Sequence, residues 1–157
     1  MKKYLIVFLI SMVPLIELRG AIPYAVGFNL PTIPSYIVAV IGNMLPVPFI
    51  FLFARRILEW GRDKKYIGGF FTWCLKKGEK GGAKIQEKAG KGIYIALLLF
   101  VGIPLPGTGA WTGTLAASFL NLDFRKSVVF VMLGVILAGL IMLAASFGVF
   151  GAIHLFN

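Results

Sequence analysis

Two charged residues, Glu17 and Arg19, stand inside a long apolar part of the chain. The residues from Tyr4 to Val13 carry no charge, and the next charged residue after Arg19 is Arg55. A charged side chain at bilayer depth costs roughly 2.5–3.5 kcal/mol on insertion scales and usually marks a functional path. A carboxylate can carry a proton or pair with a cation, and a guanidinium can bind phosphate. We therefore predict that Glu17 and Arg19 lie at the functional site.

The surrounding sequence has the composition of a membrane protein. Of its 157 residues, 59% are hydrophobic and 14% are charged, whereas soluble domains carry about 25% charged residues. Residues 20–54, 92–122 and 127–153 contain no Asp, Glu, Lys or Arg. Each of these runs exceeds the roughly 20 residues that a helix needs to cross the hydrocarbon core. We predict an all-α integral membrane protein, multi-pass, with one membrane domain over residues 1–157.

The positive charge is concentrated in one hydrophilic segment between the apolar halves. Eleven Lys or Arg and four Asp or Glu lie between Arg55 and Lys91, in a chain whose net charge is +10. Basic residues beside membrane segments indicate the cytoplasmic side and attract anionic lipid head groups by about 1 kcal/mol each. We expect this basic connector, residues 55–91, to lie on the cytoplasmic side of the cell membrane and to contact anionic lipids. Nucleic acid is not an expected partner.

Metal and nucleophilic chemistry have little support in the sequence. Cys74 is the only cysteine and His154 the only histidine, so neither a thiolate cluster nor a multi-histidine site can form within one chain. We predict no metal, no cofactor and no enzymatic activity.

Each apolar half begins with two short apolar runs separated by a polar break. Residues 4–13 would form a helix about 15 Å long, which is half of a bilayer. Pro14 ends this run. Residues 21–30 form the second short run. In the other half, Ile93–Ile103 and Thr114–Leu120 flank a break from Pro104 to Gly113. Such a pair folds either as a re-entrant hairpin or as a broken spanning helix, with irregular backbone that must be buried or line a wet cavity.

A long apolar run follows each pair. Ser35 to about Leu58 is long enough to cross the membrane, and Pro46 and Pro48 predict a kink within it. Asn43 is the one amide of this span and needs a partner if buried. Ser127 to about Ile153 forms the second span.

The order of these elements repeats at a separation of 92 residues. Asn29-Leu30 matches Asn121-Leu122, Ser35 matches Ser127, and Gly42 matches Gly134. We define the repeats as 1–59 and 93–157, joined by the connector 60–92. Interrupted segments at corresponding positions point to a transporter binding site. Re-entrant hairpins would make the repeats inverted, which we predict, whereas full crossings would make them parallel; charge alone does not decide.

The chain resembles the small multidrug export protein family of prokaryotes, which is distantly similar to DedA-type membrane proteins. The resemblance covers nearly the whole chain and rests on Glu17-Leu18-Arg19-Gly20-Ala21-Ile22-Pro23 and on the stretch Pro104–Gly113. It implies two inverted re-entrant hairpins, each followed by a spanning helix, and proton-linked transport or lipid flipping. DedA-type second hairpins carry arginines, but here none occurs between Phe100 and Arg125.

We therefore expect a membrane transporter, with two substrate classes open. One is a proton-coupled flippase or transporter of a lipid-linked phosphate or related anion, in which Arg19 and the amides of the Gly107–Gly109 turn hold the phosphate. Glu17 would carry the coupling proton, because burial favours a neutral carboxyl. The other is proton-coupled efflux of small cationic amphiphilic drugs through Glu17. The predicted substrate- or proton-binding residues are Glu17, Arg19, Gly20, Asn43, Pro106, Gly107, Thr108, Gly109 and Thr112.

Two non-transport interpretations remain. Glu17 and Arg19 could neutralise each other and hold the break together, which requires non-helical backbone because residues i and i+2 do not face each other on a helix. The protein could also act as a membrane assembly factor. In either case a chain this small is expected to need a partner, such as a second copy, to bury its breaks.

Overall fold

The computed structural model describes residues 2–64, 68–69, 72–73, 76, 90 and 92–156, and the side chains of 58 and 150–156 are not among the described parts. Within these residues the chain is all-helical and contains no strand. Most of the basic connector lies outside the described residues, including Cys74. Its predicted cytoplasmic location and its predicted contact with anionic lipids therefore remain predictions.

Seven helices have both ends among the described residues. They are α1 (Lys2–Met12), α2 (Glu17–Gly27), α3 (Thr32–Met44), α4 (Pro46–Arg62), α5 (Gly92–Gly102), α6 (Ala110–Phe119) and α7 (Phe124–Phe156).

The first break separates two short helices that form an antiparallel hairpin. α1 and α2 have 11 residues each, about 16 Å at 1.5 Å per residue. The ammonium of Lys3 lies 5.4 Å from the centroid of the Phe28 ring, so the start of α1 and the end of α2 share one end of the hairpin. The break is made by Pro14 and by left-handed backbone at Leu15 (φ 70°) and Glu17 (φ 49°). α2 begins at Glu17, four residues before the predicted apolar run.

The second break likewise separates two short helices that form a hairpin. α5 and α6 have 11 and 10 residues and are separated by residues 103–109. The backbone N–H of Asp123 donates to the Tyr94 hydroxyl at 3.3 Å, which joins the far end of this hairpin to its start.

Among the described residues, two helices are long and apolar enough to span a membrane. One runs over Thr32–Arg62 (31 residues) and the other over Phe124–Val149 (26 residues). The first contains both α3 and α4, because Leu45 between them keeps helical backbone angles (φ −58°, ψ −44°). Pro46 therefore takes the first position of α4, where its missing N–H costs least.

The Asn-Leu turns that end the two hairpins share their backbone hydrogen bonds. The Leu30 N–H donates to the Ala25 carbonyl at 3.0 Å, and the Leu122 N–H donates to the Ala117 carbonyl at 3.0 Å. Asn29 and its counterpart in the second turn have φ of 51° and 54°. Asparagine tolerates the left-handed conformation that this kind of helix ending requires, which explains why this residue type recurs.

Each hairpin packs on both long helices. α1 packs against α3 and α5 against α7, while α2 packs against α7 and α6 against α4. Glycines permit the contacts of α1 with α3 and of α5 with α7. A Cβ on Gly42 would lie 2.7 Å from the Phe8 carbonyl oxygen, and a Cβ on Gly134 would lie 2.8 Å from the Leu98 carbonyl oxygen. The Tyr36 hydroxyl, donating to the Ile136 carbonyl at 2.8 Å, joins α3 to α7.

The hairpins approach the middle of the molecule from opposite ends of the α3–α4 helix. The first hairpin leads through Leu30 and Pro31 directly into the start of α3. Near the end of α4, the Arg55 guanidinium donates to the side-chain oxygen of Asn121, at the end of the second hairpin. The two breaks therefore face each other, and the candidate site is built there.

Candidate functional site

The carboxylate of Glu17 connects the first break to the start of α6. It accepts the backbone N–H of Ala110 at 3.2 Å and that of Trp111 at 3.0 Å. Glu17 is only 4% exposed. The first N–H groups of a helix have no partner within the helix and lie at the positive end of its dipole. Glu17 thus supplies the negative charge and the acceptors that this buried helix end needs.

Gly109 makes the close approach possible. Its φ of 141° is a conformation that side chains rarely allow, and it directly precedes α6. A Cβ at this position would lie 2.8 Å from both Cδ and Oε1 of Glu17. The glycine is therefore required both by its own backbone and by the carboxylate packed on it.

Arg19 makes a second connection between the breaks. Its guanidinium donates to the carbonyl oxygen of Leu105 and, at 2.7 Å, to the hydroxyl of Thr108. The Thr108 oxygen also lies 2.9 Å from the carbonyl oxygens of Ile103 and Leu105. Arg19 is half-buried, and its planar fork suits two acceptors on one turn.

Glu17 and Arg19 form no ion pair with each other, among the residues that the structure describes. Each reaches across to the second break instead, the acid to its amides and the base to its carbonyl and hydroxyl oxygens. The interpretation in which the two side chains neutralise each other directly therefore does not describe their contacts.

The remaining predicted residues are distributed around this contact. Gly20 lies at the first break, where a Cβ would meet the Ile16 side chain. Pro106 and Gly107 are exposed, and Gly107 has φ of 82° with open space around it. The Thr112 hydroxyl lies 3.4 Å from the Gly109 carbonyl. Asn43 is 2% exposed, and its Oδ1 accepts no hydrogen bond from the described residues.

Sequence reasoning missed the backbone groups that complete the site. The N–H groups of Ala110 and Trp111 and the carbonyl of Leu105 are the direct partners of the two charges. The signal that could have indicated the two N–H groups was the start of a helix directly after Gly109, since the first amides of a helix have no partner within it. The expected phosphate contact with the amides of the Gly107–Gly109 turn stays a prediction, and the first two amides of α6, which follow this turn directly, hold Glu17.

The described residues contain no group of three or more His, Cys, Asp or Glu side chains placed to hold a metal ion. The site consists of one carboxylate and one guanidinium from α2, the Thr108 hydroxyl, and backbone groups of the second break and the start of α6.

The comparison with protein-family models identifies the family of the chain. Residues 17–141 match the family described as "Putative small multi-drug export protein", a range that begins at Glu17 and includes the second break, the α3–α4 helix and the first part of α7. No curated protein and no solved structure matches the chain. Since the matched range is well over half of the sequence, the chain belongs to this family of small multidrug export membrane proteins.

Proposed function

We propose that the protein is a proton-coupled membrane exporter in which Glu17 carries the coupling proton and holds the two breaks together. The observation that carries the proposal is the buried Glu17 carboxylate bound by the Ala110 and Trp111 amides. Intramembrane acids are costly and typically mark proton or substrate paths. Glu17 is the only acid in either hairpin.

Protonation of Glu17 gives a physical route to opening. The ionised carboxylate accepts two charge-assisted hydrogen bonds at the positive end of α6. A proton on one carboxyl oxygen removes the negative charge and makes that oxygen a donor and a much weaker acceptor, so the hydrogen bonds from the two N–H groups are weakened. The first break is then released from α6, while Arg19 still connects to the other side of the turn. Loss of the proton restores the contact.

The occupied donors favour a cationic substrate over an anionic one. A phosphate bound by the α6 amides or by the Arg19 guanidinium would have to displace contacts that the chain itself already makes. A cationic amphiphile needs a carboxylate, which Glu17 provides when it leaves α6. The amides then have a clear role, since they stabilise the buried charge whenever no cation is bound. The family description, which refers to multidrug export, supports this class.

A flippase for a lipid-linked phosphate is the second candidate. The observation in its favour is Arg19, which is half-buried and so less enclosed than Glu17. It would have to exchange the Leu105 and Thr108 oxygens for a phosphate.

The proposed architecture is a pair of inverted repeats with re-entrant hairpins. Its support comes from the 92-residue recurrence of the Asn-Leu turn hydrogen bonds and from hairpins that start at opposite ends of the α3–α4 helix. Helices of 10 or 11 residues cover half of a bilayer. The end of α4 carries Arg55, Arg56 and Arg62, so we assign that end to the cytoplasmic side of the cell membrane.

The test uses the full chain in liposomes of neutral lipid with an imposed pH gradient. Uptake of a fluorescent organic cation is measured in one set, and translocation of a fluorescent polyprenyl phosphate in another. Glu17→Gln is expected to lower gradient-driven cation uptake to the level of empty liposomes, because the amide cannot exchange a proton. Glu59→Gln is the matched control, since Glu59 is half-exposed and paired with Arg55.

The results separate the candidates. Cation uptake that depends on Glu17 and not on Glu59 supports export. Phosphate-lipid translocation that Arg19→Gln abolishes, without any cation uptake, supports the flippase instead. Neither activity in the unaltered protein would contradict both and favour an assembly role.

A further inference from the structure

A cavity of about 590 Å³ lies along α4, from Phe49 in its first turn to Glu59 near its end. Its lining includes Phe49, Leu52, Phe53, Phe124, Arg55 and Arg56. It shares neither of the charged residues of the candidate site. Apolar and basic side chains therefore line one space near the end of a membrane-spanning helix.

The apolar part of this cavity is uncovered. Phe49 is 58% exposed, and Leu52 and Phe53 are each 55% exposed. Behind them the cavity has a packed wall, because the Phe124 ring lies 5.3 Å from the ring of the buried Phe51 in an edge contact. Phe49, Leu52 and Phe53 form an apolar strip about one turn long, leading toward the charged end.

At the charged end, the two arginines differ in their contacts with the described residues. Arg55 pairs with Glu59 at 3.1 Å and also donates to Asn121. Arg56 makes no hydrogen bond or ion pair with any residue that the structure describes. With two arginines and one glutamate, the lining is net positive. A free guanidinium has the planar donor fork that binds a phosphate through two hydrogen bonds.

We propose that this cavity binds an anionic phospholipid, with the lipid phosphate on Arg56 and an acyl chain along Phe49, Leu52 and Phe53. From Phe49 to Arg56 the helix rises about 10 Å, which fits the depth from the upper acyl chain to the head group. Basic pockets between membrane helices on the cytoplasmic side are suited to such head groups. The proposal is independent of the transported substrate, since it involves neither Glu17 nor Arg19.

Native mass spectrometry of the full chain in neutral detergent tests the proposal. The protein is titrated separately with phosphatidylglycerol, with phosphatidylcholine and with inorganic phosphate. Tighter binding of phosphatidylglycerol than of phosphatidylcholine is expected. Arg56→Gln should weaken phosphatidylglycerol binding about tenfold, because a charge-assisted contact is lost. Arg125→Gln, the same charge change at an exposed site outside the cavity, should change it less than about twofold.

A second variant tests the apolar part. Leu52→Gln keeps the charge and changes a side chain that is already exposed, so folding should be preserved, as circular dichroism can verify. It is expected to weaken the lipid about fivefold or more, since acyl contact surface is lost. Equal losses from Arg56→Gln and Arg125→Gln would overturn the proposal in favour of general surface charge. Inorganic phosphate that binds as tightly as the lipid would also overturn it, as would a dimer that Leu52→Gln dissociates without changing lipid binding.

Discussion

Replacing Gly109 with alanine tests the contact between the two breaks without altering either charged residue. Gly109 has φ of 141° and directly precedes α6. The added Cβ would lie 2.8 Å from Cδ and Oε1 of Glu17, closer than ordinary van der Waals contact. The carboxylate must therefore move, or the turn must change.

The expected cost has two parts. Holding a non-glycine residue in this backbone region costs on the order of 1–3 kcal/mol. Displacing the Glu17 carboxylate weakens two charge-assisted hydrogen bonds, for which a typical value is roughly 1.5–3 kcal/mol each. Because the carboxylate can shift without losing both bonds completely, we expect Gly109→Ala to lower the free energy of unfolding by about 3–5 kcal/mol.

Gly107→Ala is the matched control. Gly107 belongs to the same turn and has φ of 82°, but a Cβ there meets nothing within 4 Å. Its cost is the conformational part alone, about 1–2 kcal/mol. Unfolding of both variants in mixed micelles, followed by circular dichroism, measures the difference.

A double-mutant cycle then identifies the cause. In a Glu17→Ala background the carboxylate is absent, so Gly109→Ala should cost only its conformational part. A coupling of about 2 kcal/mol between the two positions is expected. If Gly109→Ala costs the same with and without Glu17, the steric argument is wrong and the contact does not link the breaks as described.

Three further substitutions test the packing around the site. Gly134→Ala should destabilise the protein by about 1–3 kcal/mol in the same unfolding assay, because its Cβ would overlap a carbonyl oxygen of α5. Gly148→Ala is the control and should have little effect, since a Cβ there meets nothing within 4 Å. Tyr36→Phe should cost about 1 kcal/mol through the lost hydrogen bond between α3 and α7, and an unchanged stability would contradict that bond. Asn43→Leu should not reduce stability, because the buried Oδ1 of Asn43 has no partner among the described residues and an apolar replacement removes an unsatisfied acceptor. A clear loss of stability in this variant would show that Asn43 has a partner.

The local chemistry of the chain was enough to predict where helices break. Pro14 and the cluster from Pro104 to Gly109 interrupt apolar runs, and both interruptions occur in the structure. The uncharged runs likewise predicted the two long apolar helices. These features depend on neighbouring residues, so a single sequence contains them.

Contacts between distant segments were not predictable in the same way. Glu17 lies 93 residues from Ala110, and its partners there are backbone groups, which every residue except proline carries. The Arg55 contact with Asn121 also lacked a signal, because the match between the Asn-Leu turns suggests a shared backbone shape and not a side-chain partner. Asn43 was expected to pair and does not among the described residues, because its surroundings are set by helix packing.

The asymmetry between the two breaks follows from what each one presents. The second break carries no charged residue, but its backbone provides two N–H groups at the start of α6 and a carbonyl at Leu105 that accepts from Arg19. The first break provides one acid and one base that match these groups. A charged residue placed in the second break would compete with Glu17 and Arg19 for the same partners. The absence of charge there is thus part of the site, and an acid introduced at Thr108 is expected to weaken the closed contact by pairing with Arg19 and repelling Glu17.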